Sequence, residues 1–245
     1  MTRPTKIFIP FIYLLLVISC VDKKPEIQTS EFDNVLGKEN VETLDYLVSE
    51  FENDFLKTQY PKLDSEKAYR QFLTDLRDGK TENWKGISQK AIDKFKSSDL
   101  RLEMYEFPDS VWIIENSAFD KVESDSLEYI KHPVPYIKSR YKYTNPDGTT
   151  EYSYSRGNSS ELTPYSNFDS IIKLEMNRPN FNYVGKYLQA LSSTKSKGEF
   201  HKEFYKTKKS AGFLFPESTA RIMLKYDIDL TDKLNRKIIV LELAY

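Results

Sequence analysis

The chain contains one cysteine, Cys20, and places it just after an uncharged run that follows a basic head, Arg3 and Lys6. That arrangement constrains everything downstream. Residues 7–18 (IFIPFIYLLLVI) form the run, 12 residues without a charge. At about 1.5 Å per residue a helix of that length covers roughly 18 Å, short of a ~30 Å hydrocarbon slab. The run therefore has the dimensions of an export signal rather than of a lasting transmembrane span. A single cysteine closes no disulfide within the chain, so whatever follows must be held together by packing.

The residues Val17, Ile18, Ser19 and Cys20 resemble the lipobox of bacterial lipoproteins, an aliphatic residue three before the cysteine and a small one immediately before it. The resemblance covers about twenty residues. It implies cleavage ahead of Cys20, a diacylglyceryl group on its thiol and a fatty acyl group such as palmitate on its new amino group. Two or three acyl chains, at ~0.8 kcal/mol per buried methylene, make a lasting anchor where one would not. An acylated Cys20 also leaves no thiol for a zinc site, an iron–sulfur cluster or a nucleophile. In Gram-negative members an aspartate directly after the cysteine retains the protein at the inner membrane, whereas this chain has Val21 there, and Asp22 is followed by Lys23 and Lys24. The resemblance thus implies the outer membrane, with an incomplete surface-export signal and the facing side left open.

Removing residues 1–19 takes Arg3 and Lys6 from the 36 basic residues, leaving 34 against 37 acidic ones, a balance of about −3. A nucleic-acid partner is not expected from that balance or from a pI near 6.2. With 39% hydrophobic and 14% aromatic residues the chain can bury a core, and only eight glycines occur, none in a phosphate-cradling loop or dinucleotide fingerprint. No cofactor and no metal are expected.

Periodicity divides the rest. Residues 20–40 are polar, with Pro25 and Gly37, and read as a lipidated cysteine and flexible tether. Residues 41–245 read as one globular α+β domain, mainly helical, with a tyrosine-rich β-hairpin and a C-terminal strand. Val41, Leu44, Leu47, Val48, Phe51 and Phe55 make one helical stripe, and Tyr69, Phe72, Leu73 and Leu76 a second, opened by Ser65 and closed by Gly79. A shorter helix follows Ser88. Residues 100–116 partly alternate and read as two strands separated by Pro108 and Asp109, and a short helix is expected over 124–131. The Pro-rich 132–135 would divide two lobes. Capping-box patterns at Ser166/Asp169 and Ser196/Glu199 predict two helix starts, with further helices over 183–191 and 217–226. The apolar, β-branched residues 237–243 (KIIVLEL) predict a buried strand.

Three constellations bear on chemistry. Tyr136, Tyr141, Tyr143, Tyr152, Tyr154 and Tyr165 crowd a hairpin centred on Asn145-Pro146-Asp147-Gly148. In a bulged three-residue turn Tyr141 faces Ser153, Tyr143 faces Glu151, Arg140 meets Tyr154 and Lys142 meets Tyr152, which splits the four central tyrosines between two faces. They would either pack across the strands or offer a ligand-binding platform, with Tyr141, Tyr143, Tyr152 and Tyr154 as its members. Glu103, Glu106, Asp109 and Glu115 are the candidate carboxylates for a hydrolase, which needs two acids converging on a cleft. His132 and His201 have no partner at catalytic or ligand spacing. The lysine-rich 195–209 reads as a solvated face around Phe200 and Phe204.

No catalytic signature stands out, and the expectation is a lipid-anchored envelope protein with a binding or accessory role towards a partner protein or glycan. The alternative is a lipid-anchored hydrolase of polysaccharide or cell-wall material. The membrane is reached through the lipid on Cys20.

Overall fold

A computed structural model describes residues 30–84, 86–114, 136–144, 148–157 and 167–245. It shows a mainly helical α+β fold. Cys20, the uncharged run, the expected helix over 124–131 and the 132–135 segment lie outside the described residues.

The first helix corrects the extent of the tether. Ser30 caps α1 (Glu31–Leu36) by accepting the Asp33 N–H at 3.1 Å, and Phe32 and Leu36 are fully buried. Two apolar residues four apart suffice to dock one turn and a half of helix, and Phe32 meets the ring of Tyr187 edge-on at 6.4 Å. Gly37, at φ 89°, turns the chain into α2 (Lys38–Glu50). That helix runs on through a π-helical stretch, Phe51–Leu56, into α3 (Lys57–Gln59), and its stripe is buried at Leu44, Leu47, Phe51 and Phe55. In α4 (Ser65–Arg77) the expected stripe is buried too, while the cap is Asp64, whose carboxylate accepts the Lys67 N–H at 2.9 Å, rather than Ser65. Gly79 at φ 68° lets Lys80 N–H reach back to the Asp75 carbonyl, closing the helix as its position suggests. Phe72 stacks on Trp84 at 5.1 Å and meets Phe51 edge-on at 5.0 Å.

After α5 (Gln89–Lys96), capped by Ser88 as expected, the first of the two strands expected in 100–116 is mostly helix, α6 (Asp99–Met104). The alternation of Leu100, Leu102 and Met104 misled: Leu100 and Met104, four apart, are buried, and Leu102 is 53% exposed. Helical spacing reads one face, strand spacing reads three residues of which one faces water.

Beyond α6 come β1 (Tyr105–Glu106), β2 (Ser110–Ile114), β3 (Tyr136–Thr144), β4 (Thr150–Gly157), α7 (Phe168–Met176) and β5 (Asn180–Phe181). β1 and β5 pair antiparallel, and between them β2, β3 and β4 form an antiparallel sheet in that order. This sheet has its own small core, Val111 and Ile137 packed by Ile113, Phe168, Ile171, Ile172 and Met176. The three-stranded sheet and α7 thus lie in sequence between the two strands of the β1–β5 pair, with a hydrophobic cluster separate from that of the helices. Asn167 caps α7 by accepting the Ser170 N–H at 3.1 Å, in place of the expected Ser166.

The chain returns to the helical body in α8 (Lys186–Ser193), α9 (Glu199–Ala211), α10 (Pro216–Lys225) and α11 (Lys233–Leu243). α9 starts at Gly198 with no side-chain cap, so the Ser196/Glu199 capping box does not form. The expected C-terminal strand is the helix α11. Asp232 caps it through the Leu234 N–H at 2.8 Å, and Leu234 and residues 238–241 are buried. β-Branched residues cost a helix only tenths of a kcal/mol each, whereas burying each large apolar side chain returns about 1.5–3 kcal/mol. An apolar run with no polar face is what a central helix requires.

α11 is tied in by ion pairs as well as by packing. Arg236 meets Glu52 at 3.1 Å, Lys237 meets Asp33 at 2.8 Å and Asp45 at 2.9 Å, and Glu242 meets Lys208 at 2.9 Å. Glu242 also accepts the Tyr187 hydroxyl, which burial, then the nearby carboxylate, holds well above the usual tyrosine range. Lys208 thus departs from the solvated face expected for 195–209, whereas Phe200 and Phe204 form its core stripe as expected.

Candidate ligand-binding face

Alternation along the three strands of the inserted sheet makes two unlike faces. Tyr141 pairs with Ser153, Tyr143 with Glu151, Arg140 with Tyr154 and Lys142 with Tyr152, the register expected for the bulged turn. Trp112 lies opposite Lys138, and Lys138 opposite Arg156. The face carrying Val111, Ile113 and Ile137 is covered by α7. Tyr141 and Tyr143 belong to that face, and burial raises both phenols above their ordinary range.

The opposite face carries Trp112 from β2, Tyr136, Lys138, Arg140 and Lys142 from β3, and Tyr152, Tyr154 and Arg156 from β4. Trp112, Tyr152 and Tyr154 are 38%, 49% and 56% exposed. Each ring is met diagonally by a cation. Lys138 Nζ lies 4.7 Å from the Tyr154 centroid, the Arg140 guanidinium 4.9 Å from Tyr152 and 5.7 Å from Trp112, and the Arg156 guanidinium 3.8 Å from Tyr136. Diagonal neighbours sit ~7–8 Å apart at Cα, a span that long cationic side chains reach across. Such pairs set each cation beside a ring of the same face.

Arg140 has a carboxylate partner. Asp109 accepts from its Nε at 2.8 Å and its Nη2 at 2.9 Å, and this hydrogen bonding lowers the Asp109 carboxyl below its ordinary range. None of the described carboxylates forms an ion pair with Lys138, Lys142 or Arg156.

Of the candidate carboxylates, the three described ones have separate partners. Glu103 accepts the Lys186 backbone N–H at 2.7 Å, and its other oxygen lies 3.6 Å from Lys186 Nζ, at the start of α8. Glu106 accepts from the Tyr143 hydroxyl at 3.0 Å and from Asn180 Nδ2 at 2.7 Å, joining β1, β3 and β5. Burial raises its carboxyl, and those two hydrogen bonds oppose the shift. Asp109 is committed to Arg140, and Glu115 lies outside the described residues.

His132 lies outside the described residues, and His201 is buried, its Nε2 without a protein hydrogen-bond partner. Desolvation pulls its imidazole below the usual range. Among the described residues no group of three or more His, Cys, Asp or Glu side chains is arranged to hold a metal.

Sequence reading found two of the exposed rings, Tyr152 and Tyr154, and missed Trp112 and the cations as partners in the same surface. The signal was present: Lys138, Arg140 and Lys142 at every second position put three cations on one face of any strand. Compared with protein-family models, curated proteins and solved structures, the chain matches none of them.

Proposed function

We propose that this chain is a lipid-anchored protein of the cell envelope, held at the outer membrane through Cys20, with a non-catalytic binding or accessory role towards a glycan or a partner protein. The observation that supports the binding role is the outer face of the inserted sheet. Its rings Trp112, Tyr152 and Tyr154 are exposed among four cations, of which Arg140 is paired with Asp109 and Lys138, Lys142 and Arg156 have no ion-pair partner among the described residues. The described candidate carboxylates Glu103, Glu106 and Asp109, by contrast, are engaged in bonds that join elements of the fold.

Cell fractionation with protease shaving tests the reading, using native protein and Cys20→Ser. Native protein should fractionate with the outer membrane and the variant should leave it. Digestion of native protein on intact cells places the sheet face towards the medium, and protection until the envelope is opened places it in the periplasm. Retention of Cys20→Ser in the membrane refutes the anchor. A purified protein that hydrolyses a cell-wall polymer refutes the non-catalytic role.

A further inference from the structure

We infer that the ligand of the outer sheet face is an acidic glycan, a polysaccharide bearing carboxylate or sulfate groups. The inference rests on the binding role proposed above and gives it a substrate class. Charge is the first ground. Alternate residues on one strand are about 6.8 Å apart, so Lys138, Arg140 and Lys142 form a row of cations along β3, with Arg156 beside Lys138 on β4. The whole chain has a formal net charge of −1, so this concentration of cations is local to the face; Arg140 is paired with Asp109, whereas Lys138, Lys142 and Arg156 have no ion-pair partner among the described residues. A row of point charges matches a polymer carrying one charge per repeat.

The rings are the second ground. Trp112, Tyr152 and Tyr154 intersperse with the cations and offer apolar surface to the C–H faces of sugar rings. Lys138 and Arg140 share those ring faces, so a bound sugar chain meets the exposed parts of the rings together with the cations beside them. An acidic sugar chain would be met by the ammonium groups of Lys138 and Lys142, and the planar guanidinium of Arg156 suits a carboxylate or sulfate bidentately.

Calorimetric titration of the full-length chain in neutral detergent tests this, with polygalacturonate, dextran sulfate, neutral dextran and oligothymidylate as probes. Both acidic polymers should bind and neutral dextran should bind more weakly. Binding should weaken as ionic strength rises from about 0.1 M to about 1 M, where the screening length shrinks from about 10 Å to about 3 Å. Lys138→Gln with Lys142→Gln should weaken polygalacturonate binding roughly tenfold, from two lost charge contacts, with thermal stability little changed. Tyr154→Ala should weaken binding to both acidic polymers. Neutral dextran bound as tightly as polygalacturonate, with the lysine variant silent, overturns the acidic class while leaving a glycan-binding face. No polysaccharide bound by a protein that still requires Cys20 for its anchorage overturns the inference and leaves the face to a protein partner. Tighter binding of oligothymidylate than of either acidic polymer overturns it in favour of nucleic acid.

Discussion

Replacing Lys208 with Met should destabilise the protein severely, and replacing Glu242 with Gln at the same time should restore most of the loss. The side chains of Lys208 and Glu242 are 4% and 5% exposed and 2.9 Å apart, and Lys208 Nζ also lies 4.6 Å from the centre of the Phe181 ring. Met keeps the aliphatic stem but leaves the Glu242 carboxylate with Tyr187 as its remaining hydrogen-bond donor in a dehydrated site. An uncompensated buried charge of this kind costs about 3–5 kcal/mol. Gln at 242 alone keeps an acceptor for Tyr187 but strips Lys208 of its counter-charge, for about 2–3 kcal/mol. The double variant has neither charge and retains the Tyr187 hydrogen bond, so it should lie within about 2 kcal/mol of native, giving a coupling of about 3 kcal/mol or more. Urea unfolding followed by circular dichroism measures this. At a slope of about 3 kcal/mol per molar, Lys208→Met should move the midpoint down by about 1–1.7 M. Additive single effects would refute the reasoning, because they mean that the two charges do not interact.

Other consequences follow from α1, Glu106 and His201. Phe32→Ala removes a fully buried ring and should cost about 3–5 kcal/mol in the same urea assay; a loss below about 1 kcal/mol would mean that α1 is not part of the folded body. Because the folded-state carboxyl of Glu106 is raised, its contribution to stability is full below the ordinary glutamate range and is lost as pH rises through the folded value. Glu106→Gln, which mimics the protonated form and still accepts from Tyr143 and Asn180, should therefore melt at or above native protein at pH 7. A large drop in its melting temperature would show that the charge itself is needed. The depressed imidazole of His201 works in the opposite direction. Its stability is present above the unfolded pKa near 6.5 and is lost as pH falls towards the folded value, so native protein should weaken between about pH 7 and pH 5 more than His201→Gln does. Parallel urea midpoints for the two proteins over that range would contradict this.

What the sequence by itself determined is local. Stripes with one apolar face, as in α2 and α4, appear in place because a single period of 3.6 reads them. The hairpin register was legible because the turn residues set the pairing and the pairing sets the faces. Only the tertiary structure decided the rest, wherever the deciding partner was distant in sequence. Residues 237–243 lie in the helix α11 (Lys233–Leu243), whose Arg236, Lys237 and Glu242 pair with Glu52, Asp33 and Lys208, up to about 200 residues away, while its apolar residues are buried. Residues 31–36 belong to the core rather than to the tether because Tyr187 waits for Phe32. The candidate face is a third case. Trp112 and the β3 cations become one surface only once β2 crosses a gap of more than twenty residues to pair with β3, and no periodicity within either segment carries that information.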